Sequence, residues 1–80
     1  MRVEVRLFAT LRKYHTDDLG PGESQVVVLD DRSSLKNLYK KLKIPRGEIK
    51  TAFVNGKLED EDHLLQDSDR VGIFPPIAGG

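Results

Sequence analysis

The chain has 80 residues, 13 Lys and Arg balanced by 13 Asp and Glu, and no cysteine. That length makes one domain with one modest core and little room for an internal active site, and zero net charge argues against the broadly basic field of a nucleic-acid binder. Lack of cysteine removes disulfides, thiolate nucleophiles and zinc–thiolate sites, and with no signal-peptide or membrane-span pattern after Met1 a cytoplasmic protein is expected.

In chain order, Arg2, Glu4 and Arg6 alternate with Val3, Val5 and Leu7. Period two with β-branched residues predicts a half-buried strand. Phe8 falls on the opposite side from Leu7, which puts a large apolar ring on the strand's polar face. Leu11 and Tyr14, three apart, predict a short helical turn within residues 9–14. Asp17, Asp18, Gly20, Pro21 and Gly22 mark a loop. The run Val26-Val27-Val28-Leu29 predicts a second strand over 24–29, in a hairpin with the first through a wide connection.

Leu35, Leu38, Tyr39 and Leu42 stand at i, i+3, i+4 and i+7, one face of an amphipathic helix. Asp31, Ser33 or Ser34 can cap its first amides. The capping-box acid is missing, because residues 34, 36 and 37 are Ser, Lys and Asn. Lys36, Lys40, Lys41 and Lys43 read as a solvated face gathered toward the negative helix end. Ile44-Pro45 is expected to stop the helix, since a residue before proline avoids helical geometry.

Thr51 to Val54 predicts a third strand, with Phe53 assigned to the core. Asn55-Gly56 is a two-residue hairpin signal, and Lys57-Leu58 returns from it. Leu64-Leu65 is expected to dip into the core before a turn at Asp67-Ser68-Asp69. Arg70 to Phe74 predicts the last strand, ended by Pro75, which has no amide hydrogen. Residues 58–69 hold six acids and no Lys or Arg, which reads as a solvated loop face or as a docking patch that speeds encounter.

Strands gathered around one helix give an α+β fold with a mixed sheet of four to five strands. The last strand has to lie centrally, beside the first, for the sheet to close over the helix. The expected division is a domain over 1–75 and a protruding, flexible tail over 76–80.

The tail carries the chemistry. The chain ends Ile77-Ala78-Gly79-Gly80 after Phe74-Pro75-Pro76. Glycine averages about 7% of residues, so a terminal pair arises by chance about once in 200 chains. Without Cβ atoms such a tail can thread a narrow channel and let another protein approach the last carbonyl. The Gly80 carboxylate is the natural reactive group, and a frayed end or cloning remnant is the plain alternative. Extended, Ile77 to Gly80 reach about 13 Å, while Pro75-Pro76 fix the exit direction and limit the entropy lost on insertion.

Other constellations are weak. His15 and His63 have no ligand spacing, so no metal is expected. Ser33-Ser34 fits capping better than catalysis. Glu59, Asp60, Glu61 and Asp62 lack the glycine and spacing of a calcium loop. With no phosphate-binding glycine loop, no cofactor is expected on the chain itself, and any ATP has to be bound by a partner.

This order of elements with a terminal Gly-Gly resembles the ubiquitin-like β-grasp fold, and within it the family of small sulfur carriers. Arg6-Leu7-Phe8-Ala9-Thr10-Leu11-Arg12 resembles that family's first-strand exit, and Phe53-Val54-Asn55-Gly56-Lys57-Leu58 its Val-Asn-Gly hairpin. The stretch from Val71 to Gly80, with its Phe-Pro-Pro-x-x-Gly-Gly ending, is similar to the end of molybdopterin-synthase small subunits. Ser68 departs from the pattern, which often has Gly before the acid of the last turn.

The resemblance implies that an adenylating enzyme similar to ubiquitin-activating enzymes uses ATP to activate the Gly80 carboxylate. Sulfur then replaces AMP to give a thiocarboxylate, and the tail enters a large synthase subunit, in a heterotetramer, to deliver sulfur to a pterin precursor. It implies a non-catalytic subunit. Gly79 accompanies Gly80 at the reacting end, while Phe8, Leu58, Phe74, Pro75, Pro76, Ile77 and Ala78 face partners. Carriers for thiamine, tRNA thiolation or amino-acid sulfur share the chemistry. A protein modifier joined through Gly80 to lysines, or an interaction module with an inert tail, remains open on the sequence.

Overall fold

The computed structural model describes residues 1–14 and 24–76. Its strands are β1 (Arg2–Leu7), β2 (Gln25–Val28), β3 (Thr51–Val54), β4 (Lys57–Glu59) and β5 (Arg70–Phe74), with one α-helix, α1 (Leu35–Leu42). Short 3₁₀ turns cover Ala9–Tyr14 and Arg46–Glu48. The sheet order is β2-β1-β5-β3-β4. β1 and β5 run parallel, and every other pair is antiparallel. This is the ubiquitin-like β-grasp that the resemblance implies, with the last strand at the centre as expected.

Alternation decides which face is which. Val3, Val5, Leu7, Val71, Ile73, Ala52 and Val54 point to the helix side and are buried. Leu35, Leu38, Tyr39 and Leu42 of α1 meet them, with Leu35 and Leu38 fully shielded. Each buried Val, Leu or Ile among them stabilises the fold by about 1.5–3 kcal/mol through loss of apolar surface from water. Among the described residues, no helix covers the other sheet face.

Two local expectations are corrected, the capping box and the burial of Leu64, while the helix stops before Ile44-Pro45 as expected. The capping box is present without an acid: Ser34 is the N-cap, and its backbone N–H donates to Asn37 Oδ1 at 2.8 Å while Asn37 N–H donates to Ser34 Oγ at 3.3 Å. A side-chain amide oxygen satisfies the orphan N–H as a carboxylate would. The helix ends ahead of Ile44-Pro45, at Lys43, which adopts φ 61°. Lys43 N–H donates to Lys40 O at 3.1 Å and Ile44 N–H to Tyr39 O at 3.0 Å, the paired bonds of a Schellman ending on a residue other than glycine. Leu65 is buried as expected, but Leu64 is 57% exposed, because consecutive side chains of an extended segment point opposite ways.

The acidic segment has a structural task. Leu35 N–H donates to His63 O at 3.1 Å and Lys36 N–H to Glu61 O at 2.9 Å. Its carbonyls thereby satisfy amides that the first helical turn cannot pair internally. Arg46 Nε lies 2.5 Å from Glu61 Oε2, which ties the segment to the far end of the helix.

A second lock joins the two ends of the sheet's centre. Asn55 and Gly56 take φ 52° and 84°, the positive values that a tight hairpin needs. Asn55 Nδ2 donates to Asp69 Oδ1 at 2.8 Å, and Arg70 N–H donates to Asn55 Oδ1 at 3.0 Å. Gln66 N–H donates to the other Asp69 oxygen at 2.8 Å. One side chain thus fixes the β3–β4 turn against the turn that launches β5.

Candidate functional site

The uncovered sheet face is where the candidate residues converge. Phe8 follows β1, and its N–H continues the ladder by donating to Ile73 O at 3.1 Å. Ala9, at φ 52°, then turns the chain away. Phe8 and Phe74 stack, with ring centroids 4.2 Å apart and planes within 4°. Phe53 meets Phe74 edge-on at 5.7 Å and 86°. Leu58 is the cross-strand partner of Phe53 and is 66% exposed.

Phe53 therefore corrects the sequence reading, which assigned it to the core. It lies between Ala52 and Val54, whose side chains are buried, and alternation turns it outward, where it is 36% exposed. The signal was present in the strand itself. Ala52 and Val54 fill the thin space under α1, and the Asn55-Gly56 turn fixes the register that pairs Phe53 with Leu58.

Gly72 makes the cluster possible. It lies across from Phe53 on one side and from Arg6 on the other. A Cβ at this position would stand 3.3 Å from Phe8 Cε2 and 3.7 Å from Phe74 Cε1. The absent side chain leaves a shallow floor between the rings. Clustered aromatic groups left exposed on a sheet face mark an interaction surface.

Charged groups frame the rings. Glu4 accepts from Ser24 Oγ at 2.7 Å and lies 3.7 Å from Arg70 Nε. Arg6 stands exposed between Glu4 and Phe8 on β1. Away from the rings, Tyr14, which packs against the core, donates its hydroxyl to Glu48 at 2.5 Å, and Lys13 lies 3.2 Å from the same carboxylate. The Tyr14 bond, aided by Lys13, holds the Glu48 carboxyl below the usual glutamate range. The same bond raises the Tyr14 phenol above its ordinary value.

Phe74 closes β5 with its carbonyl accepting from Lys50 N–H at 2.9 Å. Pro75 follows half-buried, and Pro76 is exposed. Ile77, Ala78, Gly79 and Gly80 lie outside the described residues, as does His15. His63 is 3.5 Å from Glu59. No cluster of three His, Asp or Glu able to hold a metal occurs among the described residues. Among them, too, no helix is long and apolar enough to cross a membrane.

Comparison with known proteins agrees with this geometry. A family model described as the ThiS family matches residues 5–80. No curated protein sequence matches the chain. Among solved structures, the Haloferax volcanii protein HVO 2177 is 30% identical, covering 100% of this chain and 87% of that one, with a TM-score of 0.73. A Pyrococcus furiosus protein assigned as molybdopterin converting factor subunit 1 is 24% identical over 95% of this chain and 98% of its own, with a TM-score of 0.72. The complex of subunits 1 and 2 of molybdopterin-converting factor from Helicobacter pylori includes a chain 24% identical, covering 100% of both, with a TM-score of 0.61. With the family model spanning nearly its whole length, the chain belongs to the ThiS family of ubiquitin-like sulfur-carrier proteins.

Proposed function

We propose that this chain is the sulfur-donating small subunit of a molybdopterin synthase, and that the Gly80 carboxylate is its working group. The observation that carries the reading is the union of a Phe-Pro-Pro-x-x-Gly-Gly ending with a central β5 hydrogen-bonded on both sides. A tail leaving such a strand starts from a rigid base. The family membership supports a carrier role, and the fold shared with subunit 1 of molybdopterin-converting factor supports the pathway.

The chemistry follows from the weakness of a carboxylate as an electrophile. A partner adenylating enzyme binds ATP, and the Gly80 carboxylate attacks its α-phosphorus and releases pyrophosphate. Hydrosulfide-level sulfur from a donor then attacks the acyl carbon, forming the C–S bond as the C–O bond to AMP breaks, and leaves a thiocarboxylate that is ionised at neutral pH and serves as a nucleophile without any cysteine on the carrier. Gly79 and Gly80 pass a channel that a side chain would block. Ile77 and Ala78 line the entry, and Pro75 and Pro76 set its direction. Phe8, Leu58 and Phe74, joined by Phe53, dock on the large subunit, in a heterotetramer with two copies of each. Catalysis belongs to the partners.

Intact-mass spectrometry tests the reading. Incubation with the adenylating enzyme, ATP and a sulfur donor is expected to raise the mass by the exchange of one oxygen for one sulfur at Gly80. No gain, where a known carrier is charged in parallel, rejects it. Capture of a thiazole synthase in place of a synthase large subunit reassigns the pathway, and Gly-Gly remnants on target lysines would make the chain a modifier. Removal of Gly79 and Gly80 is expected to abolish sulfur transfer and leave the fold intact.

A further inference from the structure

We propose that Arg6 is the charge-reading residue of the open sheet face: the protein partner that covers the phenylalanines presents an Asp or Glu carboxylate to its guanidinium. This rests on the reading above and names the chemistry of the partner surface.

Arg6 stands across from Gly72, Gly72 across from Phe53, and Phe53 across from Leu58. One row thus runs over four strands from a cation to an apolar edge. Gly72 brings no side chain to the middle of this row, so the β5 position between Arg6 and Phe53 is unfilled. The groove over this row is lined by Glu4, Arg6, Phe8, Phe53, Phe74 and Arg70 above the Gly72 floor.

Electrostatics single out Arg6. Arg70 already faces Glu4 at 3.7 Å, and Glu4 also accepts from Ser24 at 2.7 Å. Arg6 has no ion-pair partner among the described residues. A surface that settles on the rings strips water from the neighbouring guanidinium. Desolvating a cation without an anion is strongly unfavourable. A partner with a carboxylate beside its apolar contact removes that cost, and the planar guanidinium can grip both carboxylate oxygens at once. A partner that offers only apolar groups, or a lysine, is rejected. The face therefore selects by charge as well as by apolar fit.

The test measures affinity of the full chain for molybdopterin-converting-factor subunit 2 from the same source, by titration calorimetry. Relative to the unsubstituted chain, Arg6→Gln is expected to bind about tenfold more weakly and Arg6→Glu about a hundredfold, with Arg6→Lys between the unsubstituted chain and Gln. Changing the facing Asp or Glu of subunit 2 to Lys is expected to restore about tenfold of the Arg6→Glu loss. Unchanged circular dichroism and melting temperature separate these effects from folding. If Arg6→Gln and Arg6→Glu both bind within about twofold of the parent while Phe74→Ala is weakened, this inference is overturned and the proposed function stands. If the unsubstituted chain fails to bind subunit 2, both are overturned.

Discussion

Phe8 and Phe74 lie ring over ring, centroids 4.2 Å apart, at the ends of neighbouring parallel strands. Phe53 sets its edge against Phe74, so Phe74 is the hub of the cluster. Phe74→Ala removes both ring contacts and is expected to cost about 1–3 kcal/mol of folding stability. Leu58, 66% exposed, offers the contrast: Leu58→Asp is expected to change stability by less than about 0.5 kcal/mol. Both substitutions are expected to weaken binding to subunit 2 by at least about tenfold. Urea unfolding beside calorimetric titration checks the pair. Undiminished affinity in Leu58→Asp would remove the open face from the partner interface.

Gly72 permits the ring stack without any demand for unusual backbone, since its φ is not in the positive region. Gly72→Val suits a central strand by propensity, so stability is expected to shift by no more than about 1 kcal/mol. Its Cβ would begin 3.3 Å from Phe8 Cε2, and the added methyls must push the ring aside. The expected result is a folded protein with altered Phe8 and Phe74 ring signals in NMR and reduced affinity for subunit 2. Native ring shifts in the variant would show that the floor tolerates a side chain.

Ser68 takes φ 71° in the turn before β5, with its N–H donating to Arg2 O at 2.7 Å. This is the position where the sequence departs from a pattern that often has glycine. A Cβ in left-handed geometry costs roughly 1–2 kcal/mol, partly offset because glycine leaves a freer unfolded chain. Ser68→Gly is expected to stabilise the protein by about 0.5–1 kcal/mol, seen as a higher urea midpoint with an unchanged slope. An unchanged or lower midpoint would mean that the serine side chain compensates its own backbone strain.

Asn55 shows the opposite sign at a similar backbone angle, φ 52°. Its amide donates to Asp69, which is 8% exposed, and accepts from Arg70 N–H. Asn55→Ala keeps the unfavourable geometry and strips a buried carboxylate of a donor, so a loss of about 2–3 kcal/mol is expected. Asn55→Gly relieves the backbone and should lose less. If the two variants melt together, the interlock with Asp69 contributes little.

Much of this was legible in the residue pattern, and the exceptions have physical causes. The alternation of Val3, Val5 and Leu7, the helix face from Leu35 to Leu42 and the Asn55-Gly56 turn each encode their element locally. The central place of β5 follows from closing the sheet over one helix. Phe53 reads as core because a large aromatic ring suggests burial, whereas the register set by the turn sends it outward. The Asn37 box falls outside a pattern that requires an acid, because here an amide oxygen serves. The Asn55–Asp69 lock and the supply of helix amides by His63 and Glu61 carbonyls join residues far apart in the chain, and no local pattern announces them. Arg6 lacks an ion-pair partner among the described residues because Glu4 faces Arg70 instead, a pairing that depends on the register of β1 and β5.

Tyr14 and Glu48 link two 3₁₀ turns 34 residues apart in sequence through a 2.5 Å hydrogen bond. The bond favours ionised Glu48, whose carboxyl is therefore lowered in the folded state. Its contribution is complete above the ordinary glutamate range and is lost as pH falls through the depressed folded value. The bond also favours protonated Tyr14, whose phenol is raised. That contribution is complete below the ordinary tyrosine range and is lost as pH rises through the elevated folded value. Tyr14→Phe removes the hydrogen bond that is the largest cause of both shifts while keeping the ring. Stability is expected to fall in the neutral range and to depend less steeply on pH in both the acidic and the alkaline limb. Lys13 stays beside Glu48, so some acid dependence should remain, and Tyr14→Phe combined with Lys13→Met should flatten the acidic limb further. Urea midpoints measured from acid to alkali check this. If the Tyr14→Phe profile runs parallel to the parent across the whole range, the bond does not control these titrations.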